Sequence, residues 1–168
     1  ISNVKLEYST NSFADELQTV LIIASTSNNN TYGWNIPDAI GYTVKVRVTN
    51  VSDASVYDLS NANFTIKGSV TLTSPNGGEV WIVDDIKNIT WTKVGTFANV
   101  KLEYSTNAFA NELQTVVITA STPAANLSYA WTIPDAIGTS LKVRITDVDN
   151  ATVTDMSNNN FEIKGALT

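Results

Sequence analysis

The feature that most constrains this chain is that it repeats itself. Val4-Lys5-Leu6-Glu7-Tyr8-Ser9-Thr10-Asn11 recurs letter for letter at Val100-Lys101-Leu102-Glu103-Tyr104-Ser105-Thr106-Asn107, 96 residues later. Ile36-Pro37-Asp38-Ala39-Ile40-Gly41 recurs as Ile133-Pro134-Asp135-Ala136-Ile137-Gly138 after 97. One residue is therefore inserted near Pro123 to Asn126, and length changes of that kind fall in loops. The match runs on to Phe64-Thr65-Ile66-Lys67-Gly68 against Phe161-Glu162-Ile163-Lys164-Gly165. A period of this size means a small module used more than once, so each copy must close its own core or lean on a neighbour.

The copies are unequal. Residues 70–97 have nothing equivalent ahead of Ile1. The expected layout is an incomplete module over 1–68 lacking its first strands, a complete module over 69–165, and the start of a further module at 166–168. Two origins stay open: a window of about 1.7 modules from a longer array, or an open unit whose gap is filled by strands from a neighbouring subunit. Either way, residues 1–68 are expected not to fold stably alone, and 70–165 to do so, because a sandwich without a central strand leaves core side chains wet and backbone groups unpaired.

Apolar and polar residues alternate at period two through Val100 to Tyr104, Leu141 to Thr146, Val44 to Thr49 and Asn88 to Thr92, which is the signature of half-buried strands. Leu127, Tyr129, Trp131 and Ile133 form another inward row. Turn signals separate these runs, notably Ser74-Pro75-Asn76-Gly77-Gly78 and Asp84-Asp85. The pattern predicts an all-β fold of antiparallel β-sandwiches in tandem, about seven strands per complete module. The core is expected to include Trp34, Trp91, Trp131, Tyr104, Val143 and Phe161. Differences between copies keep apolar character at positions read as inward: Val44/Leu141, Val48/Ile145, Leu21/Val117 and Leu59/Met156. Ile23/Thr119 breaks the trend and suggests an edge strand.

Composition narrows the chemistry. The 168 residues are 43% hydrophobic and 15% charged, enough apolar material for a packed core. There is no cysteine and no histidine, which removes disulfides, Cys/His zinc sites, cysteine nucleophiles and any Ser-His-Asp relay. A net charge of −6 repels phosphate backbones, so no nucleic-acid partner is expected. No apolar run approaches the ~20 residues of a membrane span, and the first residues lack a basic end followed by an apolar stretch.

The block Leu72-Thr73-Ser74-Pro75-Asn76-Gly77-Gly78-Glu79-Val80-Trp81, followed by Ile89-Thr90-Trp91-Thr92, Val100 to Ser105, Tyr129 to Pro134, Leu141 to Thr146 and Ser157 to Ile163, resembles a known module. It is similar to the Ig-like domain at the N-terminus of fungal cell-wall β-1,6-glucan-assembly proteins, and to "SPNGGE…W…ITW" repeats found in tandem in prokaryotic surface proteins. The resemblance implies a tandem Ig-like or fibronectin III-like fold, an extracellular or cell-surface, prokaryotic setting, and no enzymatic activity or cofactor.

Several residues invite a functional reading beside a structural one. Trp34, Trp81, Trp91 and Trp131 could stack on a sugar, although the parity of Trp34, Trp91 and Trp131 assigns those three to the core. Trp81, beside the Gly-rich turn, is open to either assignment. Asp147, Asp149 and Asp155 carry oxygen ligands at a spacing that suits Ca²⁺, against the alternative of a solvated turn. Glu79, Asp84 and Asp85 are a second acidic group. Lys93 has core parity, which allows either a Lys–Asn crosslink or a snorkelling side chain. Asn-x-Ser/Thr triplets make Asn29, Asn50, Asn126 and Asn150 candidate glycosylation sites, with Asn63 and Asn88 less suited because they lie close to strands.

The expected function is mechanical: a structural repeat of an extracellular fibre, stalk, sheath or filament, partnered by copies of itself or by adjacent repeats. The alternative is an adhesin or carbohydrate-binding module whose partner is a cell-surface glycan.

Overall fold

The computed structural model describes residues 1–166, so Leu167 and Thr168, most of the expected start of a further module, lie outside the described residues. The fold is all-β; among the described residues there is no α-helix, only three short 3-10 turns. No helix among them is long and apolar enough to cross a membrane. The chain divides into two compact units, Ile1–Lys67 and a second from Gly68 onward.

Unit 1 contains β1 (Asn3–Ser9), β2 (Thr19–Ser27), β3 (Gly41–Asn50), β4 (Asp53–Leu59) and β5 (Phe64–Ile66). They form one sheet in the order β2-β1-β3-β4, with β5 also paired to β3. Tyr8, Val44 and Ile66 are its buried centre, with Trp34, Phe64 and Val46 packed partly against them.

Unit 2 contains β6 (Ser69–Ser74), β7 (Val80–Ile82), β8 (Ile86–Val94), β9 (Asn99–Ser105), β10 (Thr115–Pro123), β11 (Ser128–Thr132), β12 (Gly138–Asp147), β13 (Thr154–Met156) and β14 (Phe161–Lys164). One sheet runs β10-β9-β12-β14-β7 with β13 on β12, and the other runs β11-β8-β6. These nine strands exceed the expected seven because β7 and β13 are three-residue segments too short to read as periodic runs. Leu72, Ile89 and Trp91 from one sheet meet Leu102, Leu141, Val143, Ile145, Phe161 and Ile163 from the other, all fully buried. Tyr104, Trp131, Trp81 and Phe161 extend this core as a chain of rings with centroids 5.2, 6.1 and 5.1 Å apart. The turn after β6 depends on Gly77, whose φ is +128° and whose missing Cβ would run into Asn159.

Five residues differ from the sequence expectation. Trp34 is half-buried, not core, because unit 1 has no second sheet to cover its other face. Leu21 and Val117 point outward, as the irregular β1/β2 and β10/β9 registers set them opposite Glu7 and Glu103 on the charged face. Leu127 is exposed, closing a 3-10 turn at φ 55° rather than joining the Trp131 row. Met156, the partner of Leu59, is exposed as well. Ile23 and Thr119 lie on β2 and β10, the outermost strands of their sheets.

Candidate functional site

The candidate residues of unit 2 are occupied with structural work. Asp155 Oδ2 accepts the Leu72 N–H at 2.8 Å, and Asp147 Oδ1 accepts the Asp149 N–H at 3.1 Å. Asp149 itself is exposed, and among the described residues no group of three metal-ligating side chains is brought together. Glu79 accepts the N–H groups of Asn76 and Gly77, both at 2.8 Å, and so holds the glycine turn. Asp85 pairs with Lys87 at 3.1 Å. Lys93 donates to the Gly95 carbonyl at 2.9 Å and lies 4.8 Å over the Phe97 ring, so its amine snorkels to the strand end.

Trp81, Trp91 and Trp131 are buried, and the Trp91 indole N–H donates to the Ala124 carbonyl at 3.0 Å. None of the three offers a ring face to a sugar. Asn29 and Asn126 are exposed; Asn50 and Asn150 are half-buried and accept the N–H of the Ser52 and Thr152 in their own triplets.

A cluster that sequence reasoning missed appears in both units. Glu7 faces Arg47 across β1 and β3, and Glu103 faces Arg144 across β9 and β12. Arg47 bonds Glu7 and Glu16 at 2.9–3.1 Å and lies 4.7 Å over the Phe13 ring. Arg144 repeats this with Glu103, Glu112 and Phe109, the last at 4.5 Å. The Arg47 and Arg144 hydrogen bonds hold the Glu16 and Glu112 carboxyls below the usual range, and the same bonds push both guanidinium pKa values up. The buried Ser9 and Ser105 hydroxyls accept the N–H groups of Asn11 and Phe13, and of Asn107 and Phe109, which sets the loops that bring the two rings over the arginines. Letter-for-letter identity of Tyr-Ser-Thr-Asn was the available signal.

Side chains on the inner face of unit 1 are more exposed than their counterparts in unit 2. Ile133 is 0% exposed but its counterpart Ile36 is 58%; Ile145 is 0% but Val48 is 39%; Val153 is 3% but Val56 is 45%. Other pairs agree, Leu17 and Leu113 both being 94% exposed, whereas Ile137 is exposed and its counterpart Ile40 half-buried. Backbone pairing differs as well. Thr31 to Asn35, counterpart of β11, is in no strand, and β5 lacks the parallel partner that β7 gives β14. A groove of about 260 Å³ runs along Val46, Val48, Asp58, Leu59 and Ser60.

No family model and no curated protein matches the sequence. Solved structures that resemble the chain include the fibronectin(III)-like modules of Clostridium thermocellum CbhA, 20% identical over 96% of this chain and 78% of that one, with a TM-score of 0.41. The N-terminal four Ig domains of Dscam1 isoform 4.44 are 10% identical over 97% of this chain and 37% of theirs, with a TM-score of 0.40. A chimeric titin Z1Z2-Z1Z2 tandem is 18% identical over 97% and 85%, with a TM-score of 0.34.

Proposed function

We propose that this chain is a load-bearing repeat unit of an extracellular surface fibre, stalk, sheath or filament, of the kind found in tandem on prokaryotic cells, and not an enzyme. The observation that carries the reading is the parallel ladder of β7 on β14, Glu162 opposite Val80, Ile163 opposite Trp81 and Lys164 opposite Ile82. β14 is the last strand of unit 2, and β7 follows its first strand by one turn. Tension applied at Ser69 and Lys164 pulls these parallel strands in opposite directions along their length. Their hydrogen bonds are then loaded together in shear rather than opened one by one. The outer bonds Glu162 N–H to Glu79 O and Val83 N–H to Lys164 O, both 2.9 Å, lengthen the sheared ladder. The join of Lys67 and Gly68 between β5 and β6 and the resemblance of Ser74 to Trp81 to surface-protein repeats support the same reading.

Stretching the whole chain from its ends by single-molecule force spectroscopy tests it. Unit 2 is expected to yield in one cooperative rupture releasing roughly 300 Å of contour at about 3.4 Å per residue. Gradual yielding without a resolved rupture would overturn the load-bearing reading. A second reading is favoured by one observation: half-buried Trp34 stands beside exposed Tyr32 on the open face of unit 1. A glycan partner would then quench Trp34 fluorescence on titration, and an adhesive module would replace the load-bearing one.

A further inference from the structure

We infer that Asn76-Gly77 is a latent site of spontaneous covalent modification, held shut by Glu79 in the folded module. The reaction is cyclisation to a succinimide followed by deamidation, and it would loosen β7 from β14.

Asn76-Gly77 is the one Asn-Gly step in the 168 residues. Such a step reacts with itself readily, because glycine has no side chain to shield its nitrogen from the neighbouring amide. Once solvent hydroxide has taken its proton, the Gly77 nitrogen attacks Asn76 Cγ. The N–Cγ bond forms, the Cγ–Nδ2 bond breaks, and Nδ2 takes a proton from water and leaves as ammonia, which restores the hydroxide. Water then opens the cyclic imide at either carbonyl, giving aspartate from one and isoaspartate from the other. Gly77 is exposed and Asn76 half-buried, so water reaches both.

The fold cannot escape this chemistry by replacing the glycine. Gly77 has φ +128°, and a Cβ there would run into Asn159. Asn76 is no less engaged: its Oδ1 accepts the Asn158 N–H at 2.7 Å, and its backbone carbonyl accepts the Asn159 N–H at 3.2 Å.

The structure instead blocks the reacting atoms. Glu79 Oε2 accepts the Gly77 N–H at 2.8 Å, and Oε1 accepts the Asn76 N–H at 2.8 Å. Attack requires the Gly77 proton to leave, and that proton is tied into a charge-assisted hydrogen bond. The negative charge of Glu79 also disfavours a second negative charge on the nitrogen beside it. A carboxylate is far too weak a base to take a peptide proton itself, so the contact protects and does not promote. On the other side, the Asn158 N–H pins Asn76 Oδ1, and Cγ cannot swing onto the Gly77 nitrogen without breaking that bond.

Position gives the reaction its consequence. The Glu79 carbonyl accepts the Glu162 N–H at 2.9 Å beside the ladder of β7 on β14, and the Gly78 N–H donates to the Asn160 carbonyl at 2.9 Å. Cyclisation removes the Gly77 proton that Glu79 holds. Isoaspartate then lengthens the backbone by one methylene between β6 and β7, which shifts the turn off both contacts.

The test incubates the full chain at mildly alkaline pH. Peptide mapping by mass spectrometry reads the conversion of Asn76, with Asn11-Ser12 in the same digest as an internal clock. Folded wild type is expected to convert Asn76 more slowly than the urea-unfolded chain, and Glu79→Ala to convert it about tenfold or more faster than wild type, the factor for losing one charge-assisted hydrogen bond. Asn11 should keep its rate, and Glu79→Gln, which retains an acceptor without the charge, should fall between. Wild type in urea matched to the stability of Glu79→Ala separates loss of the contact from loss of the fold, and should stay near the untreated rate. The isoaspartyl chain, isolated by chromatography, should exchange its Val83 and Glu162 amides faster while Trp91 is unmoved. A Glu79→Ala chain no faster than wild type overturns the proposal, as does equal acceleration in the matched urea control. Unchanged Val83 and Glu162 exchange after isoaspartate formation overturns it too. Should Glu79→Ala fail to fold, Glu79→Gln carries the comparison, and a rate equal to wild type is then the overturning result.

Discussion

Glu112 and Arg144 show how much a single charge pair is worth here and where its effect ends. Arg144 hydrogen bonding holds the Glu112 carboxyl below its ordinary range, so the native state binds that proton more weakly than the unfolded chain. The stabilisation is present above the unfolded carboxylate pKa and is lost as pH falls through the native one. Glu112→Gln should therefore lower the Tm of unit 2 at neutral pH and leave it equal to the wild type in acid, followed by circular dichroism melts across pH. A difference that persists in acid would show that Glu112 acts through packing instead. Because Glu112 is exposed, the effect is small and screened by salt.

The tryptophans give the larger residue-scale contrast. Trp131 is enclosed between Tyr104 and Trp81, so Trp131→Ala should cost unit 2 about 3–5 kcal/mol in urea unfolding. Trp34 touches Tyr8 and Phe64 but remains wet on its other side, and Trp34→Ala should cost unit 1 clearly less. Parity alone assigned both rings to a core, since period two reports which face of a strand a residue takes. It does not report whether anything lies opposite. The Arg-centred clusters stayed hidden for a related reason: Phe13 and Phe109 reach their arginines only because Ser12, Phe13, Ala108 and Phe109 turn through positive φ, which no periodicity announces.

At the scale of elements, Ser128 to Thr132 and Thr31 to Asn35 are counterparts that share Tyr and Trp at matching positions and have different states. The first is strand β11 because β8 pairs with it, and the second has no neighbour to pair with. Amide exchange in the full chain should accordingly be slow through β11 and fast through Thr31 to Asn35, by orders of magnitude if β11 opens only with global unfolding. Equal protection would mean that unit 1 closes itself in solution. At the ladder of β7 on β14, Val83→Pro removes the N–H that donates to the Lys164 carbonyl. It should lower the rupture force of unit 2 in the stretching experiment, whereas Pro at exposed Ala125 should not. Strand runs with clean alternation, such as Lys142 to Thr146, were legible from sequence. The three-residue β7 and β13 were not, because their pairing is dictated by β14 and β12 rather than by any local pattern.

For the whole molecule, the two units should not melt together. Unit 1 is a single sheet with apolar residues in water, and unit 2 is two sheets around a closed core. Thermal or urea unfolding of the full chain should show unit 1 yielding first, and limited proteolysis should cut within 1–67 before 69–165. Isolated residues 1–68 should give no cooperative melt, while 70–165 should give one. A single transition with both sets of probes superimposed would contradict this ordering.

What the sequence by itself determined is the recurrence of its segments, the all-β class and the alternation that builds each strand. These are local or self-comparative properties, written into spacing and identity along the chain. Tertiary structure alone decided which inward-facing residues become core. Ile36 and Ile133 occupy the same position of the same motif, yet one is wet and the other dry, because burial belongs to whatever lies across the gap and not to the strand that carries the side chain.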